Sequence, residues 1–378
     1  MNSIPVDTIN RADSTPVITL GARRRGRYGH STRCKPCVVC VPAKGEAENL
    51  PTFLAAMAQA FRALDPVRGA LVIALDGEVD NSAELLEQQR AHFPVDIHVV
   101  QLDPHPTPHA GRVRKAALDR GARLFPLEPT ILLTTDADTL VDRDWIRATQ
   151  ALMSDSDFVC GDIWRDDLQG NVIRAPHEHY YHDLHRVRRI IDPVAFDAPD
   201  PHPQGFGASL ALRRDVYYTV GGCPDLPSNE DVSLVRRVRA HGFRVRQDRS
   251  VKVVTSSRRE GRAQGGLAEA LVQEDRDAAQ GRPKLIVDPR RYLALYRHSA
   301  ELRQGFARNE DARVERACDR LKLDRLRVEE AWNVARTADA FVARVLDEPE
   351  FTANIPLERA RELLHSETQG IHRELVNA

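Results

Sequence analysis

A chain of 378 residues with 42% hydrophobic residues, 29% charged residues and a formal net charge of -1 can bury a substantial core and carries no strong global field. That excludes a polybasic binder of nucleic acid or of an anionic membrane surface, and no apolar run approaches the ~20 residues of a membrane helix. Six cysteines are too few for a disulfide framework at this size, so the expectation is a cytoplasmic globular protein without a membrane span.

Residues 1–33 are polar, include the basic run GARRRGRYGH and lack the apolar stretch of a signal peptide, which predicts a flexible tail. Next comes CKPCVVCVPAKGEAENL, where Cys34, Cys37 and Cys40 stand three apart and suggest a metal cluster. The β-branched run CVVCVPA, however, reads as a buried strand. Side chains alternate along a strand, so Cys37 and Cys40 would face opposite ways, about 10 Å apart along the chain. Cys160, Cys223 and Cys318 are scattered singly, so the cysteines read as small apolar core residues.

From Cys37 the pattern alternates. Leu50, Phe53, Leu54, Met57, Phe61 and Leu64 recur at helical spacing, GALVIALD reads as a strand, and NSAELLEQQRAHF as a helix capped by Asn81 or Ser82. DIHVVQL is a third strand, DPHPTPHAGR an extended loop decorated by His105 and His109, GRVRKAALDRGARLF a third helix, and TILLTTDAD a fourth strand stopping at acids. Such alternation predicts a mostly parallel sheet with helices on both faces, whose ligand lies beyond the carboxyl ends of the strands. That edge collects PAKGEAEN, Asp76, and Asp136 with Asp138. No G-x-G-x-x-G follows the first strand and no P-loop occurs, which disfavours dinucleotide and P-loop enzymes.

Asp136 and Asp138 offer hard oxygen ligands suited to Mg²⁺ or Mn²⁺ and, through the ion, to a diphosphate; turn formation is the alternative use of such a pair. In SNEDVSLVRRVRAHG, Ser228 or Asn229 can cap a helix with Glu230 and Asp231 in its first turn. Those acids fit helix capping, and equally a carboxylate that takes a proton from an attacking hydroxyl. Arg258, Arg259 and Arg262, set among glycines in VTSSRREGRAQGG, suit a segment closing over a phosphate, or a solvated basic loop. HEHYYHDLHR holds His177, His179, His182 and His185 without forming H-E-x-x-H. It suits an aromatic, polar helix lining a ligand site, a metal site or a solvated face. Beyond residue 266 the sequence is helical. Val334, Ala338, Phe341, Val342 and Val345 fall on one stripe, which suits packing on the sheet or a homodimer through these helices.

The ordered set VPAKGEAENL, ALDGEVDNSAEL, AGRVRKAALDRGA, TTDADT, QGFGASLALRRDVYYTVGG and NEDVSLVRRVRAHG resembles glycosyltransferase family 2, over residues 37–265. The resemblance implies a GT-A fold, with a mixed, mostly parallel sheet in residues 34–265 and a helical extension in 266–378. It further implies inverting transfer of a sugar from a UDP- or GDP-sugar to a hydroxyl acceptor, with Mg²⁺ or Mn²⁺. Carried over residue by residue, Pro42, Ala43 and Glu46 fall in the first donor-binding turn and Asp76 at the acid that contacts the base. Arg112, Arg114 and Lys115 lie where a basic residue approaches the nucleotide. Asp136 and Asp138 match the D-x-D motif, Asp138 as the direct metal ligand. Asp231 matches the catalytic base beside Glu230, and Gly221 and Gly222 match the pair preceding the acceptor region, to which His182 is also assigned. Gly45 stands where the family carries asparagine. Two other functions fit a sheet of this type: a nucleotidyltransferase, which would need a Gly-rich loop after the first strand, and a sugar-nucleotide binding module without catalysis.

Overall fold

The computed structural model describes residues 35–77, 79–107, 109–167, 171–194, 196–261, 265–346 and 351–377; the 1–33 tail, Cys34 and Arg262 lie outside them. The first half alternates as expected: β1 (Cys37–Ala43), α1 (Leu50–Arg62), β2 (Gly69–Asp76), α2 (Ser82–Arg90), β3 (Asp96–Leu102), α3 (Ala110–Arg123) and β4 (Ile131–Thr134). β4 is shorter than TILLTTDAD suggested: it ends at Thr134, and Asp136–Thr139 forms a turn in which Thr139 N–H donates to Asp136 C=O at 3.1 Å. The chain continues through β5 (Thr139–Val141), α4 (Trp145–Leu152), β6 (Phe158–Asp166), β7 (Val172–Ile173), α5 (Pro176–Ile191), β8 (Leu210–Arg213), α6 (Arg214–Thr219), α7 (Glu230–Ala240) and β9 (Val245–Thr255).

Among the described residues these strands form one sheet in the order β3-β2-β1-β4-β8-β6-β9-β5, with β7 paired to β6. β1 runs parallel to β2 and β4, β2 to β3 and β6 to β9, while β8 is antiparallel to both β4 and β6. The antiparallel β8 has a consequence for the site. Leu210 pairs with Thr134, so the segment that enters β8 arrives at the carboxyl end of β4.

Alternation along β1 divides the core. Cys37, Val39 and Val41 pack with Phe53, Met57 and Trp145 on the face of α1 and α4, whereas Val38 and Cys40 pack with Val113, Ala117 and Leu234 on the face of α3 and α7. Cys37 and Cys40 thus sit on opposite faces, as the strand reading required, and burial raises the Cys40 thiol far above its usual range.

The remaining elements are α8 (Leu267–Ala279), β10 (Leu285–Ile286), α9 (Pro289–Arg308), α10 (Asp311–Leu321), α11 (Arg325–Val334), α12 (Ala338–Val345), β11 (Ile355–Pro356) and α13 (Leu357–Asn377). The expected single stripe breaks: Val334 is exposed at the end of α11, and Phe341, Val342 and Val345 belong to α12. Thr337 causes the break, its hydroxyl accepting from Ala340 N–H and starting a new helix. Leu302, Val314, Phe341 and Val345 form one small core of this extension. Tyr180 and Leu184 of α5 join Leu293, Leu357 and Leu364 in another.

α3 lies close on β1 because residue 121 has no side chain: a Cβ there would stand 2.4 Å from Cys40 Sγ. Gly121→Ala is therefore expected to destabilise the fold by about 1–3 kcal/mol through overpacking. Adding Cys40→Ala, which removes the sulfur, should recover part of that loss in a urea-denaturation double-mutant cycle. Strict additivity would mean that the two residues do not meet.

Candidate functional site

At the carboxyl edge of the sheet the side chains are organised around Arg114, an almost completely buried guanidinium on α3. Its Nε donates to Glu230 Oε1 at 2.8 Å and its Nη2 to Asp136 Oδ1 at 2.8 Å. Its Nη1 donates to Thr134 Oγ1 at 2.9 Å and to Gly207 C=O at 3.1 Å. One side chain thereby ties together the end of β4, the acid turn, the segment entering β8 and the first residue of α7. Burial works against its charge, but Asp136, Glu230 and Asp231 outweigh it and push the pKa above the ordinary arginine value. Gly207 is required by this approach, since a Cβ there would lie 2.3 Å from Arg114 Nη2.

Asp231 stands next to this hub and is half-buried. Its Oδ2 accepts from Gly207 N–H at 2.6 Å and its Oδ1 from Val232 N–H at 2.7 Å. The expected side-chain cap of α7 is not what forms. Asn229 adopts a left-handed conformation (φ 58°) at the cap position without a side-chain cap bond, and Asp231 takes the backbone donors instead. Glu230 is buried against Arg114, so its carboxylate is spent inside the protein.

A second arginine spans the other side of the acid turn. Arg258, which follows β9, donates from Nη1 and Nη2 to the two oxygens of Glu46 at 2.9 and 2.8 Å, and its Nη2 lies 3.0 Å from Asp138 Oδ2. Burial, then the negative charges of Asp136 and Glu46, push the Asp138 carboxyl up to about 7 against the pull of Arg258. At the end of β2, buried Asp76 accepts from Lys44 Nζ at 2.8 Å and faces Arg112 Nη1 at 3.4 Å. Arg112 also donates twice to Asp103 C=O. Pro42 and Ala43 close β1 beside this pair, in register with Ala74 and Leu75. His109, read as loop decoration, caps α3 by accepting from Arg112 N–H at 3.2 Å.

The remaining sequence-predicted residues are placed elsewhere. Lys115 pairs with Asp119 at 2.5 Å; Asp119 also accepts from Tyr217 Oη at 2.6 Å, and Gly222 packs over that tyrosine ring. Gly221 and Gly222 turn the chain after α6 at φ 81° and 78°. Arg259 pairs with exposed Asp275 at 2.8 Å, away from the acids. His182 is buried. Its Nδ1 faces Arg249 Nη2 at 2.9 Å and its Nε2 faces Arg174, while Asp162 accepts from Arg174 at 2.8 Å. Burial and the two arginines lower the His182 pKa to about 3, so this imidazole is neutral, and burial holds His185 at about 2. His177 lies near Glu274, so the histidines of α5 do not converge on one point. Among the described residues no three His, Cys, Asp or Glu side chains form a ready metal-ligand set.

The sequence reading passed over Lys44, Thr134 and Gly207. Lys44 carried a usable signal, a cation immediately after β1 beside an acid immediately after β2. Gly207 lies inside QGFGASLALRRDVYYTVGG without a signal of its own; its missing side chain permits the close approach of Arg114.

Residues 38–220 match the model of glycosyl transferase family 2. That stretch is a family 2 glycosyltransferase domain, and the mixed sheet with flanking helices to which it belongs has the GT-A arrangement. Among curated proteins, none matches the chain. Among solved structures, TarS 1–349 from S. aureus is 16% identical with a TM-score of 0.42, over 59% of this chain and 60% of that one, so the chain spans about three fifths of its length. The mannosyltransferase PcManGT from Pyrobaculum calidifontis, in complex with GDP-Man and Mn²⁺, is 16% identical with a TM-score of 0.47, over 82% of this chain and 78% of that one. TarS 1–349 in complex with UDP-GlcNAc is 14% identical with a TM-score of 0.44, over 89% and 88%. No helix among the described residues is long and apolar enough to cross a membrane.

Removing the guanidinium while keeping bulk, as in Arg114→Met, strands buried Glu230 without its partner. The expected cost is about 3–5 kcal/mol in chemical denaturation. Glu230→Gln in the same background should restore part of it by removing the stranded charge, and a loss below 1 kcal/mol, which is about the worth of a surface pair, would mean that Arg114 is not the hub.

Proposed function

We propose that the protein transfers a sugar from a UDP- or GDP-sugar to a hydroxyl acceptor, with inversion at the anomeric carbon, using Asp231 as general base. The observation that carries this reading is the Asp231 carboxylate fixed by Gly207 N–H and Val232 N–H on the same Arg114 scaffold that holds Asp136 of the D-x-D turn. Each oxygen has one backbone donor and keeps a second lone pair for an incoming hydroxyl. The base is therefore positioned without relying on substrate to order it, which is what general-base catalysis by a carboxylate requires.

The donor half rests on the opposite side of the turn. Asp76, buried between Lys44 and Arg112, fixes these two cations on the side where the nucleoside would lie, and Arg112 adds a partly exposed cation for phosphate. The chemistry of the acid turn fits a divalent ion: its donors are hard carboxylate oxygens, and Asp138 is desolvated beside Asp136 and Glu46 with one arginine to offset them. Asp138, with Asp136 beside it, would hold Mg²⁺ or Mn²⁺, and the ion when bound would offset the charge of the departing diphosphate. Asp231 then takes the acceptor proton, the acceptor oxygen bonds to the anomeric carbon, and the nucleoside diphosphate leaves.

Isothermal titration of UDP and GDP with and without Mn²⁺ tests the donor half. Asp138→Ala should abolish the metal-dependent gain in nucleotide affinity while leaving the melting temperature in place, because the carboxyl it removes is already crowded by burial and by Asp136. An unchanged metal-dependent affinity would refute the assignment.

For the acceptor half, Asp231→Asn should slow transfer by roughly 10²–10⁴ while nucleotide affinity holds. The amide can satisfy only one of the two backbone donors, so a stability loss of about 1–3 kcal/mol should accompany it. Full turnover in that variant, with chemistry rate-limiting, would name the wrong base.

A further inference from the structure

The segment from His202 to Ser209 is anchored at five of its eight residues. His202 Nε2 lies 3.1 Å from Cys160 C=O, and Gln204 N–H donates to His202 Nδ1 at 3.2 Å. The Gln204 carboxamide bridges the backbone N–H and C=O of Ile163, both at 2.8 Å, and its own C=O accepts from Gln247 at 3.1 Å. Gly207 is held between Asp231 and Arg114, and Ser209 N–H donates to Phe206 C=O at 3.2 Å. From Pro201 to Leu212 every side chain is buried or half-buried except one: Phe206, which is 53% exposed.

An exposed phenylalanine is ordinary when it stands on a mobile tip. Here the backbone on either side is fixed, and the fixing groups belong to the site. The peptide bond between Phe206 and Gly207 supplies the N–H that binds Asp231 Oδ2 at 2.6 Å, so the benzyl group springs from a residue directly adjoining the base. Gly207 cannot accept a side chain against Arg114, and Gly205 adds none, so the ring stands without an apolar side chain on either chain neighbour. An exposed flat ring on the residue whose peptide bond with Gly207 carries the N–H bound by Asp231 suits a ligand that is itself apolar on one face and hydroxylated at its rim. A lipid tail or a protein helix would call for a contiguous apolar patch instead.

The geometry points to Phe206 as the platform on which the acceptor lies, and to a sugar ring as that acceptor: its C–H face stacks on the phenyl ring and one of its hydroxyls reaches Asp231. This assignment rests on the proposed role of Asp231 as base. It adds the acceptor class, a glycoside, and a residue that sets specificity without entering the bond-making step.

The test is binding by the full-length protein, observed by saturation-transfer NMR with methyl β-D-glucopyranoside, methyl α-D-mannopyranoside and methyl N-acetyl-β-D-glucosaminide, in the presence of UDP or GDP with Mn²⁺. Hexan-1-ol serves as the apolar ligand without a ring. At least one glycoside should bind the parent with saturation concentrated on one C–H face. Phe206→Leu and Phe206→Ala should each weaken it by about five- to tenfold, the scale of one aromatic stack, whereas Phe206→Tyr stays within about twofold. Nucleotide affinity, measured by calorimetry, should be the same in all variants. Retention of glycoside affinity in Phe206→Leu, preferential binding of hexanol, or no glycoside binding to the parent would each overturn the proposal. Asp231→Asn leaves the Phe206 ring in place and should bind the glycoside within about threefold of the parent, since it changes at most one hydrogen bond to the ligand. A platform that behaves as expected beside an Asp231→Asn enzyme with full turnover would sink the base and leave Phe206 standing. Loss of turnover in Asp231→Asn with unchanged binding in Phe206→Leu would sink the platform alone.

Discussion

The buried guanidinium of Arg114 is the constraint on which the rest of the site depends. A charge in the interior is tolerated only when it is paired and its donors are satisfied, and Arg114 meets that condition by recruiting four separate pieces of chain. Glu230 fixes the start of α7, Asp136 the acid turn, Thr134 the end of β4 and Gly207 C=O the entry to β8. None of these could move far without leaving a buried charge or donor unmet. The same network that stabilises the edge of the sheet therefore sets the position of Asp231, which touches Arg114 only through Gly207 and the helix start.

This arrangement explains why two adjacent acids have different fates. Glu230 points inward and is used up by Arg114, whereas Asp231 is half-buried and bonded only to backbone N–H groups. A carboxylate held by neutral donors keeps its capacity to accept a further hydrogen bond, while one in a buried ion pair does not. Arg258 plays the corresponding role on the other side of the acid turn, where it joins Glu46 to Asp138 across 92 residues of sequence. Two arginines thus flank the D-x-D turn, one deep and fixed, one half-buried at the mouth.

Much of this edge was legible in the sequence, because period-two and helical patterns place β1 to β4 and α1 to α3 and so bring Asp76, Asp136 and Asp138 together. What pattern could not give was the direction of long side chains. Arg112 and Arg114 lie two apart on one helix and read alike, yet Arg112 reaches the partly exposed Asp103 backbone and Asp76 while Arg114 turns into the core. Only the antiparallel entry of β8, which delivers Gly207 C=O and Thr134 to the same point, decides between them. The surroundings of His182 were illegible for a similar reason. Histidines three apart on a helix suggested a metal or an acceptor face, and the structure closes Asp162 of β6, Arg249 of β9 and Arg174, which follows β7, around the ring. Short elements were illegible for want of length: β5 and β8 have three and four residues, below what periodicity can resolve.

The buried Asp162–Arg174–His182–Arg249 cluster then acquires a structural purpose that connects α5 to the chemistry. β6 outlasts its pairing with β8, which ends at Cys160, and continues to Arg165 in register with β9. On the side that β8 leaves, Asp162 is bound by Arg174 and Arg249, and Ile163 is clamped by Gln204. His202 reaches back to Cys160 C=O from the same side. The strand extension and the 202–209 segment therefore brace each other. Neutral imidazoles fit this role: His182 can accept from an arginine, and His202 donates to Cys160 C=O while accepting from Gln204 N–H, without adding charge to a cluster that already holds two cations and one buried carboxylate. Rigidity at Gly207, and with it the position of Asp231, is thus supplied from two directions: by a buried ion pair from α3, and by a polar brace that runs through β6 to the histidine helix.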